Sequence, residues 1–373
     1  MPTTNSESDL EPLAELPRLA TTGHATHCKM CLAGLPAGQV DIDSSRLALV
    51  FYCLGSLDLL DIINNKTNND ERQMWVSWVW EQQTSGPYGS GFKPGPYMTP
   101  EKHLGVPDND YSNDNSPHII VTYTALLCLA ILRDDFTRLD RSGLIKFLRS
   151  CQKDDGSFST EPLGGDSDLR TVYCAFAISS MLDDWSGVNV DRAFGFIASC
   201  RSYEGGYGQS PFCEAQGGTT YCALASMHLA NRSFLLIEHL SASERRNTIR
   251  WLIQNQDGSG GFCGRTGKDA DACYCFWCGA SLSILGVGEL VNTSALARFV
   301  ASCQFKFGGI AKAPGEHPDP FHTYLALAAL SLHPPQQDVS APSSWILQAL
   351  DPLLNTKQDT AAWARQHIPA PGN

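Results

Sequence analysis

Three residues of different chemistry stand near the starts of two apolar segments. Asp271 and Cys273 are separated by one residue, and His322 opens the next apolar segment along the chain. One carboxylate, one thiolate and one imidazole leave a fourth position open, which is the pattern of a catalytic zinc site. Cys and His are soft ligands and favour zinc over magnesium. The residues alone leave a second interpretation open: a helix-capping Asp271, a buried Cys273 and a core His322.

A short basic loop lies just before these residues. It carries Arg265 and Lys268, and Tyr274 follows. Cations aimed at a leaving diphosphate would neutralise the charge that develops as a carbon–oxygen bond breaks, and the tyrosine hydroxyl would donate to the same oxygens. A basic pair on a loop is also typical of solvated surface. Its position beside the potential metal ligands favours a diphosphate site.

A second group of possible ligands lies near the amino terminus. His27 and Cys28 are followed by Cys31, a spacing similar to that of metal-binding motifs. No second pair of ligands completes the pattern along the chain, so we expect no metal there.

The elements that position these residues form an internal repeat. Each copy runs from a helix end through a polar turn with glycine to a hydrophobic residue: Phe147–Phe158, Phe196–Tyr207, Trp251–Phe262, Phe299–Ile310 and, more weakly, Trp78–Phe92. A helix that is apolar nearly all round follows each turn, and such helices are buried. The helices between them are amphipathic. With a sixth copy near residues 44–63, six pairs of inner and outer helices predict an all-α fold, an α-α (α6/α6) barrel.

The repeat also sets the expected domain boundaries. We expect one barrel domain over residues 25–335, a disordered acidic tail over 1–22, and a partly disordered C-terminal extension over 336–373 with an amphipathic stretch at 345–354. The Gly- and Pro-rich segment 86–116 is expected to be a long loop, and loops of this length are often functional.

Composition excludes several classes of protein. The chain has 373 residues, 27 Lys plus Arg against 39 Asp plus Glu, and a net charge of −12, which argues against nucleic-acid binding. No apolar run is long enough to span a membrane. The start lacks the features of a signal peptide, so the fourteen cysteines are expected to be thiols of a cytoplasmic protein.

Several motifs in order resemble those of the protein prenyltransferase β subunits, and within that family the type I geranylgeranyltransferases. The resemblance covers most of the chain and rests on residues 31–36, 45–47, 118–119, 168–174, 185–187, 217–218, 271–277 and 317–322. It implies one zinc ion per chain held by Asp271, Cys273 and His322. A substrate thiol at the open position would be a thiolate near neutral pH and therefore a nucleophile.

The resemblance also implies a diphosphate site. Arg265, Lys268 and Tyr274 match the family's residues, whereas Gln216 replaces a histidine that the family usually has before its Gly-Gly pair. Gln216 can donate hydrogen bonds but carries no charge. Lys312 stands where farnesyltransferases place a magnesium-binding aspartate. A fixed ammonium can replace the charge of the metal, so catalysis is expected to be independent of magnesium.

The isoprenoid pocket is expected inside the barrel. Ala48 stands where farnesyltransferases have a bulky Trp that shortens the pocket, which favours a 20-carbon chain. Aromatic residues that recur at the repeat spacing would line the barrel, although plain core packing is the alternative for some of them: Tyr123, Tyr173, Tyr221, Trp277 and Tyr324. The resemblance adds Arg170 and Cys222 to the pocket wall.

The resemblance places the peptide substrate beside the lipid. His118 and Arg170 are expected near the carboxy terminus of the peptide, and Tyr52 and Phe321 around its second aliphatic residue. Ile120 and Thr171 depart from the residues that the family has around the last position. The preference at that position therefore stays open.

The function implied is that of the catalytic β subunit of a type I protein geranylgeranyltransferase. It would work as a heterodimer with an α subunit on proteins with a C-terminal Cys-aliphatic-aliphatic-X (CaaX) motif, such as small GTPases, with Leu often as X. A farnesyltransferase β subunit is the alternative within the family, and Rab-type enzymes are disfavoured by His118 and Arg170. A terpene cyclase is disfavoured because no Asp-X-Asp-Asp motif occurs. A non-catalytic repeat scaffold remains the alternative from another class.

Overall fold

The computed structural model describes residues 16–34, 45–96, 116–162, 164–230, 240–335 and 343–370. Within these ranges the helices are α1 (Thr21–Ala33), α2 (Arg46–Leu59), α3 (Ile62–Lys66), α4 (Asn69–Glu81), α5 (Ile119–Ile131), α6 (Arg141–Cys151), α7 (Leu169–Leu182), α8 (Val190–Ser199), α9 (Gly217–Ala230), α10 (Ala242–Gln254), α11 (Ala272–Ile284), α12 (Thr293–Cys303), α13 (Pro320–Leu332) and α14 (Gln358–His367). Consecutive strands pair as antiparallel hairpins: β1 (Gln83–Gly86) with β2 (Gly89–Phe92), β3 (Ser159–Glu161) with β4 (Gly164–Ser167), β5 (Phe262–Cys263) with β6 (Ala270–Asp271), and β7 (Leu350–Asp351) with β8 (Thr356–Lys357).

Six helices form a closed inner ring. Their order is α2, α5, α7, α9, α11 and α13, and α13 returns to α2. Each packs against the outer helix that precedes it in its repeat, namely α1, α4, α6, α8, α10 or α12. In α5 every residue from Val121 to Ile131 is at most 5% exposed, as its all-round apolar sequence predicts. The α-α barrel predicted from the repeat is confirmed.

The repeated turns share one geometry at the end of the barrel where the inner helices begin. In each, a polar residue bridges across the turn to the hydrophobic residue that closes it: Gln152 to Phe158, Arg201 to Tyr207, Gln256 to Phe262 and Gln304 to Ile310. The closing side chains are at most 2% exposed. In two of these turns a threonine of the following inner helix accepts the backbone N–H of the closing residue: Thr220 accepts from Tyr207 and Thr323 from Ile310, both at 2.9 Å. These contacts fix the starts of α9 and α13.

The ring closes where the last turn meets α1. Gly308 has a φ of 104°, and a Cβ there would lie 2.0 Å from the carbonyl oxygen of Gly23, so only glycine fits. Beside it, Nδ1 of His24 accepts the backbone N–H of Gly309 at 3.0 Å. The first pair of the barrel is therefore α1 with α2. We expected residues 44–63 to supply both helices of this pair. They supply only the inner helix, α2, and the outer helix is α1.

The C-terminal residues pack into the other end of the barrel. Four tyrosine hydroxyls from the inner helices donate to four consecutive carbonyl oxygens: Tyr221 to Pro352 at 2.9 Å, Tyr173 to Leu353 at 3.0 Å, Tyr123 to Leu354 at 2.8 Å and Tyr324 to Asn355 at 2.5 Å. Helix α14 then covers the ends of α5 and α7, where the indole Nε1 of Trp363 donates to the carbonyl of Asp134 at 2.8 Å. The segment 352–355 thus forms a floor inside the barrel.

Local details differ from the sequence expectations. The amphipathic stretch at 345–354 is a short 3₁₀ turn, Ser343–Trp345, followed by strand β7. The expected loop at 86–116 contains strand β2, and its residues 97–115 lie outside the described ranges. Residues 1–15 of the expected N-terminal tail and residues 336–342 and 371–373 of the expected C-terminal extension also lie outside them. Helix α1 begins at Thr21, inside the predicted N-terminal tail. No helix in the described ranges has the length and apolar character needed to cross a membrane.

Candidate active site

Asp271, Cys273 and His322 converge at the start of the inner helices. Their ligand atoms, a carboxylate oxygen, Sγ and a ring nitrogen, all lie within 4.8 Å of one another. Nε2 of His322 is 3.4 Å from Oδ1 of Asp271. Asp271 and Cys273 are buried, and His322 is partly exposed to the barrel mouth. The mixed donor set fits a zinc ion with one position left for a substrate.

Helix caps place these ligands. Asp271 is the N-cap of α11, and its Oδ1 accepts the backbone N–H of Cys273 at 2.9 Å. Asp319 caps α13 in the same way: its Oδ1 accepts the backbone N–H of His322 at 2.9 Å, with Pro320 in the first helical position. The capping role that the sequence left as an alternative for Asp271 is real, and it coexists with the convergence of the three ligands.

Burial and neighbouring charges shift the pKa of each residue of the triad. Burial opposes ionisation of Asp271, but hydrogen bonds from His322 and Cys273 lower the pKa of its carboxyl. Burial likewise opposes protonation of His322, yet hydrogen bonds and charges from Asp271 and Asp319 raise its pKa to about 9. Burial, followed by the Asp271 charge, raises the pKa of the Cys273 thiol well above its ordinary value. A thiolate at Cys273 therefore needs a neighbouring positive charge, which a bound metal ion provides.

The three ligands lie in the wall of a cavity of 550 Å³. Phe51, Tyr123, Tyr173 and Trp277 contribute aromatic surface, and Arg170 and Lys312 contribute charged groups. The full lining is Phe51, Tyr52, Ile120, Tyr123, Thr124, Arg170, Tyr173, Cys174, Gln216, Gly218, Thr219, Cys222, Asp271, Cys273, Tyr274, Trp277, Lys312, Phe321, His322 and Asn355. An apolar cavity with a few convergent polar groups is typical of a small-molecule site.

Three of the expected diphosphate residues line this cavity. The Gln216 amide Nε2 donates to the Tyr274 hydroxyl at 3.1 Å, and Lys312 contributes to the same cavity lining. The carbonyl of Lys312 accepts the backbone N–H of Ala272 at 2.9 Å, which fixes the position of its loop. Burial, followed by nearby acidic groups, raises the pKa of Tyr274 to about 12, so its hydroxyl is a proton donor at neutral pH.

The other two expected cations lie outside the cavity wall. Arg265 forms an ion pair with Glu214 on the exposed rim. Lys268 is exposed on the same loop. The structure therefore brings three of the five expected diphosphate residues into the cavity and leaves two at its edge.

The expected isoprenoid residues fall into two groups. Tyr123, Tyr173 and Trp277 line the cavity together with Cys222 and Arg170. The guanidinium of Arg170 is held against the buried Asp168 by contacts of 2.6 to 3.1 Å.

Ala48 is half-buried on α2, one turn before Phe51 and Tyr52, and does not itself line the cavity.

Some of the residues expected to bind the peptide line the cavity and others do not. Tyr52 and Phe321 both line the cavity, with ring centroids 5.2 Å apart in an edge-to-face arrangement, and Ile120 is close to them. His118 caps α5 and does not line the cavity; burial lowers the pKa of its ring to about 4. Thr171 is engaged in the capping box of α7 with Asp168.

Several lining residues were not expected from the sequence. Thr124, Cys174 and Thr219 stand three or four positions from the expected residues Ile120, Arg170 and Cys222 on the same helices, and Phe51 stands three positions from Ala48, so the helical spacing could have indicated them. Asn355 comes from the C-terminal segment, which carries no repeat pattern. The recurrence of Tyr rather than Phe on the inner helices was a signal that their hydroxyls have polar partners.

Comparison with known proteins identifies the family. The model of the prenyltransferase alpha-alpha toroid domain matches residues 19–356. The chain belongs to this family and is a prenyltransferase, as its motifs indicate.

Two relatives and one solved structure define the resemblance further. The geranylgeranyl transferase type-1 subunit beta of Dictyostelium discoideum is 38% identical over 80% of this chain and 87% of its own length. That of Arabidopsis thaliana is 34% identical over 83% of this chain and 84% of its own. The protein geranylgeranyltransferase-I of Candida albicans, solved in complex with GGPP, superposes with a TM-score of 0.81 at 26% identity, covering 95% of this chain and all of that one.

Proposed function

We propose that the chain is the catalytic β subunit of a zinc-dependent protein geranylgeranyltransferase type I. It would transfer the geranylgeranyl group from geranylgeranyl diphosphate to the Cys thiol of C-terminal CaaX motifs, with X often Leu. The observation that carries this proposal is the meeting of a metal-ligand triad and three diphosphate-binding candidates at the mouth of one aromatic cavity. The type-1 relatives support the choice of substrates.

The reaction is a substitution at carbon. The sulfur of the substrate thiol attacks C1 of the lipid, the bond from C1 to oxygen breaks, and diphosphate leaves with the electron pair. Asp271, Cys273 and His322 would hold one zinc ion per chain, and its positive charge would favour the deprotonated form of a substrate thiol near neutral pH. The protein residues bind and orient both partners so that sulfur and carbon meet.

The residues beside the triad stabilise the leaving group. The Lys312 ammonium, the Tyr274 hydroxyl and the Gln216 amide can all direct protons at diphosphate oxygens. Arg265 and Lys268 reach the same group from the rim once Arg265 leaves Glu214. Because Lys312 supplies a fixed positive charge, the reaction is proposed to need no magnesium.

The cavity wall accommodates the lipid. Tyr123, Tyr173 and Trp277 offer flat apolar surface, and Cys222 adds a small apolar side chain. A bulky side chain at Ala48 would crowd Phe51 and Tyr52, which follow one turn later on α2. The small residue at this position therefore supports a 20-carbon rather than a 15-carbon chain.

The peptide enters beside the lipid. Tyr52, Ile120 and Phe321 form an apolar group next to His322, suited to the aliphatic residues of a CaaX motif. Arg170 and His118 are proposed to serve the peptide carboxy terminus. The departures at Ile120 and Thr171 leave the preferred last residue to experiment.

An α subunit completes the enzyme in this proposal. Three large side chains on the turns around the barrel mouth are exposed: Tyr203 at 99%, Phe212 at 105% and Phe307 at 74%. Exposed aromatic groups are enriched at protein interfaces, and they support docking of a partner at this rim. All fourteen cysteines are free, which supports a reducing compartment such as the cytoplasm.

A transfer assay tests the proposal. The chain is co-expressed with its α subunit and supplied with a CaaX peptide ending in Leu, with zinc present and magnesium absent. Geranylgeranyl diphosphate is expected to be the better donor, and Cys273→Ala is expected to lose both zinc and transfer.

Other outcomes would favour the alternatives. A preference for farnesyl diphosphate together with a magnesium requirement would assign a farnesyltransferase. Absence of transfer of either lipid, with no zinc in the purified complex, would leave a non-catalytic scaffold.

A further inference from the structure

A cluster of sulfur and imidazole groups lies apart from the candidate active site. His27, Cys28 and Cys31 stand on α1, and Cys53 stands on the adjacent inner helix α2. In the sequence, no second pair of metal ligands follows His27, Cys28 and Cys31. In the fold, the thiol of Cys53 comes close to Cys28 and Cys31. None of the four residues lines the 550 Å³ cavity.

Hydrogen bonds connect the cluster. Sγ of Cys31 is 3.8 Å from Nε2 of His27. The Cys53 thiol lies near enough to Cys28 and Cys31 for the pKa of its own thiol to be raised by both of them. Hydrogen bonding to Cys53, followed by hydrogen bonding to His27 and attraction to its charge, lowers the pKa of Cys31 to about 5 against the effect of burial. Cys28 and Asp319 also face this pair. Cys53 is the proton donor of the cluster, since its pKa is raised well above the ordinary value.

Small reagents can reach this cluster. A second cavity of 260 Å³ opens between α1, α2 and α4, and Cys31 and Cys53 both contribute to its lining, with Val50, Trp75 and Trp78 forming apolar walls. Cys31 is half-exposed, whereas Cys28 and Cys53 are buried. Cys31 is therefore the member that a solute meets first.

We propose that Cys31 is a hydroperoxide-sensitive thiol and that Cys53 is its resolving partner. The assignment rests on the His27 contact of Cys31, on the position of Cys53 on the adjacent helix and on the cavity that both cysteines line. It is independent of the transfer activity proposed above.

The chemistry balances with hydrogen peroxide as the oxidant. The Cys31 thiolate attacks one peroxide oxygen and the O–O bond breaks, giving a sulfenic acid and hydroxide, which takes a proton to become water. The sulfur of Cys53 then attacks the sulfenic sulfur. The S–O bond breaks, the proton of the Cys53 thiol leaves with the hydroxyl group as water, and a Cys31–Cys53 disulfide remains.

The arrangement suits oxidation better than metal binding. Among the described residues, only Asp271, Cys273 and His322 bring three ligand atoms within mutual reach of one ion. The sulfur and imidazole atoms on α1 and α2 do not form such a group.

Alkylation kinetics test the reactivity of Cys31. The full-length chain, co-purified with an α subunit and loaded with one zinc, is treated with iodoacetamide between pH 6 and 8, and each cysteine is followed by peptide mass spectrometry. The Cys31 rate is expected to stay within about threefold across this range, because its thiolate is already formed. The rate of N-acetylcysteine, an ordinary thiol, falls about a hundredfold from pH 8 to pH 6. His27→Gln is expected to restore a steep pH dependence at Cys31.

Peroxide mapping tests the partner. After a brief exposure to one equivalent of hydrogen peroxide, the Cys31–Cys53 disulfide is expected as the first oxidised product, ahead of the exposed Cys213. In Cys53→Ser, the sulfenic acid on Cys31 should instead be trapped by dimedone. The proposal is overturned if oxidation follows exposure and Cys213 reacts first, if Cys31 alkylation has the pH dependence of an ordinary thiol, or if the chain holds a second zinc that Cys31→Ser removes.

Discussion

Asp319 holds the ring of His322 from behind. Its Oδ2 lies 2.6 Å from Nδ1 of His322, while Nε2 on the other side of the ring faces Asp271 at 3.4 Å. This contact keeps a proton on Nδ1, so that Nε2 is the ring nitrogen that would bind a metal ion, which would displace its proton. A carboxylate behind a metal-binding histidine raises its basicity and fixes its orientation.

The Asp319→Asn substitution should weaken zinc binding. Asparagine still caps α13, so the helix is kept while the charge behind His322 is lost. The expected loss is about 10- to 100-fold in zinc affinity, with a parallel loss of transfer at limiting zinc. Zinc affinity is measured by competition with a chelator, and Glu316→Gln, on the exposed part of the same loop, is the control. Unchanged affinity in Asp319→Asn would show that the triad does not depend on this contact.

Glu214 pairs with Arg265, and in the proposed enzyme it would compete with the diphosphate for that guanidinium. The two side chains pair at the rim, where both are partly exposed. Because exposed pairs contribute about 1 kcal/mol or less, Glu214→Gln should lower the KM for geranylgeranyl diphosphate by about twofold to fivefold and leave kcat nearly unchanged. The same substitution made in an Arg265→Ala background is the control and should have no effect. An equal effect in both backgrounds would mean that Glu214 acts on the substrate directly.

Substitutions at Lys312 test whether its ammonium group stabilises the leaving diphosphate. Lys312→Ala is expected to lower kcat about a hundredfold with zinc content unchanged, since one preorganised charge at the developing diphosphate is lost. Lys312→Asp should recover part of the loss when magnesium is added, whereas Lys312→Ala should not. A magnesium titration of the three proteins measures this, and a magnesium-dependent wild type would contradict the assigned role.

The repeat explains why so much of the fold could be predicted. All-round apolar helices such as α5 can only be inner helices, and the glycine turns mark the start of each. Asp271, Cys273 and His322 could be grouped because adjacent inner helices begin side by side. In contrast, Asp319 had no predicted role, because a capping residue that also supports a ligand is visible only once the side chains are placed.

The C-terminal segment marks the limit of the sequence pattern. Residues 352–355 form the floor through backbone carbonyls, which carry no side-chain signature. Ala48 and His118 were assigned by resemblance, and neither lines the cavity. The roles of Ala48 and His118 therefore stay predictions.

Tyr221→Phe tests the floor. Its hydroxyl donates to the Pro352 carbonyl inside the barrel, so the substitution leaves a buried acceptor unpaired and should lower the free energy of unfolding by about 1 to 3 kcal/mol. Denaturation by urea measures the change. Tyr203→Phe, at a fully exposed tyrosine, is the control and should have no effect. If both variants unfold at the same urea concentration as wild type, the tyrosine contacts do not hold the segment.

His24 should make the closed barrel sensitive to acid. Its Nδ1 accepts the backbone N–H of Gly309, and this contact needs a neutral ring. Its Nε2 donates to the amide oxygen of Gln304 at 3.0 Å, a contact that either form of the ring can make. Burial lowers its pKa from 6.5 to about 4. The unfolded chain therefore binds the proton more readily, and stability falls as the pH drops from about 6.5 towards 4. The full shift corresponds to roughly 3 kcal/mol.

The His24→Asn variant isolates this contribution, because asparagine keeps an acceptor for Gly309 and cannot be protonated. It should be less stable than wild type at pH 7.5, and the difference should shrink or reverse by pH 5. His118, whose pKa is also lowered to about 4, remains in both proteins and gives them a common background. Urea unfolding at several pH values measures the difference, with His317→Gln, at an exposed position, as the control. A difference that is constant with pH would mean that the ring is not held neutral at the junction of α1 and the last turn.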